Sequence, residues 1–227
     1  APFAAGGVVA DSNLDSWTLQ IAPWGSQQFT ELATGGSPVN GKFADIDPNR
    51  FSNGCSRLRL SAQDISGRST VTETKIEVAS LSKAGAFRRQ ETDLTVHTSA
   101  EELAITRAYD SLNRDSSTSF GDGWRWAEGD FLVQTDVPFT GSESFGVFEP
   151  LRDGTRLYLT LPDGQRVGFT FVPQRVGEGG MVYFLPGWQA DPGVNCQLSS
   201  AGTILTKVGT KYYDLTTGLP YHPADNY

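Results

Sequence analysis

Imidazole and thiol chemistry is scarce in this chain of 227 residues, which carries two histidines, His97 and His222, and two cysteines, Cys55 and Cys196. His97 falls in a run that reads as strand, and His222 stands between Tyr221 and Pro223. Neither has a Cys, Asp or Ser at a spacing used in nucleophilic catalysis. The ordinary reading of each is a solvated or hydrogen-bonded imidazole. The cysteines show no Cys-x-x-Cys spacing, and two thiols alone make no convincing metal site. A disulfide and two buried apolar thiols both stay open. Carboxylates gather at Asp45-Ile-Asp47 and between Asp110 and Asp122, among Asn, Ser and Gly. Calcium needs about six to eight oxygens, the EF-hand spacing is absent, and turn formation explains these residues as well. We therefore expect no metal and no cofactor.

Two further groups could do chemistry. In Leu103-Ala-Ile-Thr-Arg-Ala-Tyr109, strand alternation puts Leu103, Ile105, Arg107 and Tyr109 on one face. With that face inward, Arg107 is buried and needs a carboxylate, for which Asp110 and Asp153 are the expected partners. The favoured role is a structural ion pair that fixes strand register. An anion or sugar contact is the alternative. Trp124 and Trp126 share parity and face one side of a strand. Exposed, they would stack on sugar rings; buried, they are core.

The elements that must position these groups read as β throughout. Trp17-Thr-Leu-Gln-Ile21 alternates, with Trp17, Leu19 and Ile21 on one face. A second strand is expected from Phe29 to Ala33, and a third from Arg57 to Ala62 with Leu58, Leu60 and Ala62 facing in. Thr70 to Val78 puts Thr72, Thr74, Ile76 and Val78 on one face and Glu73, Lys75 and Glu77 on the other, a strand wet on one side. Residues 79–85 lose all period, and a domain boundary open to proteolysis is expected there. Further strands are expected at Asp93–Thr98, Leu103–Tyr109, Trp124–Trp126, Phe131–Thr135, Met181–Leu185 and Tyr212–Leu215. Arg156 to Leu161, the turn Pro162-Asp-Gly164, and Arg166 to Phe171 form a hairpin. No stretch carries a helical period over ten residues.

Composition agrees. Apolar residues make up 38% and charged residues 19%, with 25 Gly and 12 Pro, which suits strands joined by tight turns. The net charge is −8 and no Lys/Arg cluster occurs, so no nucleic-acid partner is expected. No apolar run approaches the ~20 residues of a membrane-spanning helix. The opening APFAAGGVVA is too short and lacks the basic flank of a signal peptide, and the single Met is Met181, so the chain reads as a processed or excised fragment.

Two segments resemble known families. Leu58-Arg-Leu-Ser-Ala-Gln-Asp-Ile-Ser-Gly67, ending in Thr74-Lys-Ile-Glu-Val78, resembles the last hairpin of bacterial Ig-like domains. Leu94-Thr-Val96, Ile105-Thr-Arg-Ala-Tyr-Asp-Ser-Leu-Asn113 and Phe120-Gly-Asp-Gly-Trp-Arg-Trp126 resemble the region that leads into the repeats of Rhs/YD-repeat proteins. Phe148-Glu-Pro-Leu-Arg-Asp-Gly154 and Leu161-Pro-Asp-Gly-Gln-Arg-Val-Gly-Phe169 fit the same region. The likeness covers residues 92–171 well and the tail loosely. A YD-repeat array is missing, and Tyr213-Asp-Leu-Thr-Thr-Gly218 only hints at one repeat.

The resemblance implies an all-β chain: an Ig-like β-sandwich over 8–80, then a second antiparallel β domain of Rhs type over 86–227. It implies a non-catalytic structural or interaction module of a large extracellular or cell-surface protein, in some members a toxin carrier. The expected partner is the rest of that polypeptide with its downstream YD-repeat shell, and a glycan or protein besides. The alternative is a carbohydrate-binding module using Trp124 and Trp126. A hydrolase with a paired carboxylate is a third reading, disfavoured because no residue cluster announces one.

Overall fold

Strands and tight turns account for nearly all regular structure in the computed structural model, which describes residues 2–80, 83–99, 102–114, 117–130, 132–177, 182–200 and 202–222. The protein is all-β, and among the described residues the longest helical pieces are single 3-10 turns of three residues. It divides into two units: Ala1–Arg89 with Tyr109–Arg125, and Gln90–Ala108 with Trp126–Tyr227. The chain therefore crosses between units three times, where the sequence suggests one crossing near residue 80.

The first unit contains β1 (Phe3–Val9), β2 (Leu14–Pro23), β3 (Thr30–Gly35), β4 (Val39–Ile46), β5 (Gly54–Asp64) and β6 (Ser69–Val78). β2, β3, β5 and β6 form an antiparallel sheet in the order β3-β2-β5-β6, and β1 pairs with β4 as a ribbon. Register places Leu19 opposite Leu60 and Ile21 opposite Leu58, so the expected apolar faces coincide. Thr72 and Thr74 lie opposite Leu60 and Leu58 on that same face. Ala5, Val9 and Ile46 of the ribbon join Trp17, Leu19, Ile21 and Leu58 in one core.

Trp17 sets the fit of this core. Its ring meets Phe43 edge-on at 4.9 Å, and its Nε1 donates to the Ser37 carbonyl at 2.9 Å. It lies opposite Gly35, where a Cβ would stand 2.7 Å from the indole. Only a glycine lets the strand come that close.

Ser80, Lys83 and Phe87 are each held by hydrogen bonds to the first unit. Ser80 exchanges two hydrogen bonds with the Asn53 amide. The Lys83 ammonium donates to the Pro48 and Phe51 carbonyls, both at 2.8 Å. Phe87 exchanges hydrogen bonds with Ser111. At these three residues side chain-to-backbone bonding replaces a ladder, and all three belong to the first unit.

Next come β7 (Arg88–His97), β8 (Glu102–Asp110), β9 (Ser117–Thr118), β10 (Gly121–Asp122) and β11 (Trp124–Trp126). β7, β8 and β11 form a sheet in the order β11-β8-β7, and the division between units falls inside all three strands.

The second unit continues with β12 (Val133–Thr135), β13 (Arg156–Thr160), β14 (Arg166–Phe171), β15 (Gln174–Val176), β16 (Tyr183–Leu185), β17 (Trp188–Ala190), β18 (Leu205–Val208) and β19 (Lys211–Asp214). The expected starts of β12 at Phe131 and of β16 at Met181 lie outside the described residues. Two four-stranded sheets result, β12-β13-β14-β17 and β15-β16-β18-β19. The β13–β14 hairpin forms as expected, with Leu157 opposite Phe169 and Leu159 opposite Val167. Its turn closes through Gly164 N donating to the Leu161 carbonyl at 2.9 Å. Leu157, Val167 and Phe169 pack with Val194, Cys196 and Leu198 on one face. Leu151, Phe171, Leu205, Tyr212 and Tyr221 make a second core.

Candidate functional site

Alternation on β13 and β14 sends Arg156, Tyr158 and Thr160, with Gly168 and Thr170, to the side opposite Leu157 and Phe169. That side is polar yet largely closed to solvent: Tyr158 and Thr160 are each 1% exposed. Its centre is a two-pronged pair, Arg156 Nη1 to Asp191 Oδ1 at 2.8 Å and Arg156 Nη2 to Asp191 Oδ2 at 2.6 Å. Arg156 Nη1 also donates to Thr170 Oγ1 at 2.6 Å, and Nη2 to the Tyr158 hydroxyl at 3.2 Å. The guanidinium lies over the Tyr158 ring, 5.2 Å from its centroid. Below the pair, the Arg156 backbone N–H donates to Asp136 Oδ1 at 2.9 Å. Next along the sheet, Arg166 Nη2 donates to Gln134 Oε1 at 3.2 Å.

Gly168 makes this arrangement sterically feasible. A Cβ there would stand 2.2 Å from Asp191 Oδ2 and 2.8 Å from Arg156 Nη2. The glycine inside Arg166-Val-Gly-Phe169 was the one sequence signal of the cluster, because a mid-strand glycine marks a close approach. Nothing in the sequence pointed to Asp191, which lies 35 residues beyond Arg156.

A second cluster lies on β18, β19 and the segment before β13. Lys207 Nζ donates to Asp153 Oδ2, and the Tyr212 hydroxyl donates to Asp153 Oδ1 at 2.6 Å. Burial pushes the Asp153 carboxyl up, but the bonds from Lys207 and Tyr212 outweigh it and hold the group below its ordinary value. Burial, then the bond to Asp153, pushes the Tyr212 phenol up. Glu149 bonds Lys211 at 2.7 Å and Arg152 at 2.7 Å, and these two cations lower its pKa. Arg152 and Lys211 are also paired through their backbones.

The residues singled out from sequence do not assemble. Arg107 is not a buried pin: its Nε lies 3.2 Å from Asp93 Oδ2, and both side chains are 39% exposed. Asp110 is instead near Arg88 at 3.6 Å, and it caps the turn Ser111–Asn113 through the Leu112 N–H. Asp153 serves Lys207 and Tyr212. The physical reason is parity: positions 107 and 110 fall on opposite faces of β8, and the buried face carries Ala108 and Asp110 while Leu103 and Ile105 are exposed.

The tryptophans also separate. Trp124 is half-buried and packs against Tyr109, with ring centroids 5.3 Å apart and the planes tilted by 51°. Trp126 is 41% exposed, with its backbone N–H bonded to Asp130 Oδ2 at 2.8 Å. Arg125 between them is buried. Both cysteines are free thiols, Cys55 buried in the first unit and Cys196 packed in the second. His97 is exposed and lies 3.4 Å from Glu102. The carboxylates considered for calcium serve locally: Asp45 pairs with Lys42 and Asp47 caps the turn Pro48–Arg50. Among the described residues no group of three or more His, Cys, Asp or Glu gathers as a metal site would require.

Comparison of the chain with protein-family models, with curated proteins and with solved structures finds no match.

Proposed function

We propose that this chain is a non-catalytic structural and interaction module of a large secreted or cell-surface protein of Rhs/YD-repeat type. The first unit acts as an Ig-like spacer and the second as the β domain that leads into a downstream YD-repeat shell, in a toxin-carrier arrangement. One observation carries this reading: in the second unit the side chains richest in chemistry bind each other. Arg156 holds Asp191 with both prongs, Asp153 is held by Lys207 and Tyr212, and Glu149 by Lys211 and Arg152. The carboxyls of Asp153 and Glu149 lie below their ordinary values. A general acid needs a raised carboxyl pKa, so these two are poorly suited to that role. The motifs that resemble the Rhs family fall on β7, β8, β10 and β11, on the β13–β14 hairpin and on the segment just before it, which suits a scaffold role.

The test is a panel of glycosides, esters and peptides at several pH values. Reproducible turnover abolished by Asp191→Asn or Glu149→Gln would sink the proposal. The open reading frame beyond this segment is expected to encode YD repeats. A second reading, a carbohydrate-binding module, is favoured by the exposure of Trp126. Glycan-array binding lost in Trp126→Ala would establish it.

A further inference from the structure

The four-stranded sheet of the first unit ends in two edges of different character. β3 forms one edge with six residues, stops at Gly35, and lies against β2 with a register shift between Leu19 and Gln20. Short length and a bulge both blunt an edge against pairing with another chain. β6 forms the other edge with ten residues and runs against β5 in unbroken register from Gln63↔Ser69 to Gly54↔Val78. It contains neither glycine nor proline, and six of its residues are Thr, Val or Ile, the types that suit a strand best. Every residue from Ser69 to Lys75 is exposed, Val71 at 54%. Among the described residues β6 has β5 as its one ladder partner.

We propose that β6 is a self-recognition edge: two copies of this chain pair antiparallel along it and join their sheets. Charge identifies the occupant. A twofold axis normal to the sheet keeps each face on its own side, so one residue must lie opposite itself. Two registers use nearly the whole strand, one centred on Glu73 and one on Thr74. The first sets Glu73 against the partner's Glu73, and like charges directly opposite repel. The second sets Glu73 against the partner's Lys75 and, by symmetry, Lys75 against the partner's Glu73. It also brings Thr72 opposite the partner's Ile76, so the face that continues the core stays matched. Within one copy the ladder places Arg59 opposite Glu73 and Arg57 opposite Lys75. Lys75 therefore has a cation on its inner side, and a carboxylate arriving at the outer edge complements it. Glu73 is held on that face by Arg57 at 3.3 Å and Arg59 at 2.6 Å.

The pairing uses the first unit alone and does not depend on the identity of any larger polypeptide. A strand of this length offers an edge about 30 Å long. A single edge-to-edge contact of that length is smaller than a standard interface, so the dimer is weak, with a dissociation constant on the order of 100 µM. Lys75→Glu turns two attractive cross-strand pairs into two repulsive ones and should raise that constant about tenfold.

The experiment is sedimentation velocity on the full chain from micromolar to millimolar concentration, with circular dichroism to check that each variant is folded. Wild type should pass from monomer to dimer, and Lys75→Glu should do so only at about tenfold higher concentration. Raising salt from about 0.05 M to about 0.5 M should weaken the wild-type dimer and strengthen that of Lys75→Glu. Register is read by cross-linking. In the pairing centred on Thr74 the two Cα atoms at that position lie about 4.5–5.5 Å apart, within disulfide range. The two at position 72 are four residues out of step, about 13 Å apart. Under oxidation Thr74→Cys should therefore give a covalent dimer, and Thr72→Cys should stay at the wild-type background set by Cys55 and Cys196. A wild-type chain that remains monomeric at millimolar concentration, association unchanged in Lys75→Glu, or cross-linking of Thr72→Cys as readily as Thr74→Cys overturns the proposal.

Discussion

The Arg156–Asp191 pair is the sharpest test of how the second unit is held together. Arg156→Met keeps most of the side-chain volume and removes the charge. It leaves Asp191 without its two-pronged partner and deprives the Thr170 and Tyr158 hydroxyls of a donor. Breaking a fully buried pair costs about 3–5 kcal/mol, and a surface pair contributes under about 1 kcal/mol. The Arg156 side chain is 17% exposed and Asp191 26%, which places the pair between these limits, so we expect a loss of about 2–3 kcal/mol. Gly168→Ala tests the same pair through sterics alone. The added methyl would meet Asp191 Oδ2 at 2.2 Å and must displace the carboxylate, so a similar loss of about 2 kcal/mol is expected. Once the pair is displaced, Arg156→Met has less left to remove. The double variant should therefore fall short of the sum by about 1–2 kcal/mol. The assay is urea unfolding read by hydrogen exchange of residues 156–171, so that the second unit is followed separately from the first. A cost under about 0.5 kcal/mol for Arg156→Met, or strict additivity, would refute the claim that this cluster pins the sheet.

Three more expectations follow from the first unit. Gly35→Ala should push the Trp17 ring off Phe43, costing about 1–3 kcal/mol and altering the near-ultraviolet circular dichroism of the indole, whereas Gly85→Ala, with open space around it, should leave that signal unchanged. Burial first, then Arg88, lowers Lys83 to about 8 against 10.5 in the unfolded chain; the unfolded chain holds the extra proton between those values, so first-unit stability should rise with pH across that window and lose this slope in Lys83→Met, as measured by urea midpoints at several pH values. Asp64 is held below 3.8, first by the Arg68 backbone N–H, with its side chain and the Ser66 N–H adding to this. The stability it contributes is present above 3.8 and should disappear as pH falls through its lowered value. Asp64→Asn should remove that acid dependence in exchange measurements on the β5–β6 turn.

The strands legible in the sequence share one physical property. β2 and β5 have one face against the core and one in water, β6 keeps that pattern only at Ile76 and Val78 with the expected inward Thr72 and Thr74 exposed, and the β13–β14 hairpin buries an unbroken odd-numbered apolar row, so period-two patterning registers them. β1 and β4 carry no readable alternation because Gly6, Gly7 and Gly41 interrupt the pattern. They are strands through pairing with each other, with a bulge between Ala5 and Gly6, and a pairing from Val9↔Val39 out to Phe3↔Ile46 leaves no local trace. β8 misled for a different reason. Its apolar Leu103 and Ile105 point to the exposed side, while Ala108 and Asp110 are buried. Assigning the apolar row to the core reverses every side chain on such a strand, and Arg107 moved with it.

The polar clusters were invisible for a reason that bears on function. Arg156, Asp191 and Lys207 carry no motif, and Asp153, expected beside Arg107, takes its partners from β18 and β19 instead, because each partner arrives from a separate strand or loop. A catalytic constellation often betrays itself through a nucleophile in a strained turn or a histidine at fixed spacing. Here the charged groups meet only after the sheets have formed, and each carboxylate meets a cation within hydrogen-bond distance. Such pairs stabilise little relative to an apolar substitute of the same shape, but they penalise every register that leaves a charge unmatched. On β13 and β14 a slip by one residue would turn Arg156 and Arg166 into the apolar face now filled by Leu157, Val167 and Phe169. The ion pairs therefore reinforce, on the polar face, the one register that the alternation of polar and apolar residues already favours in this hairpin.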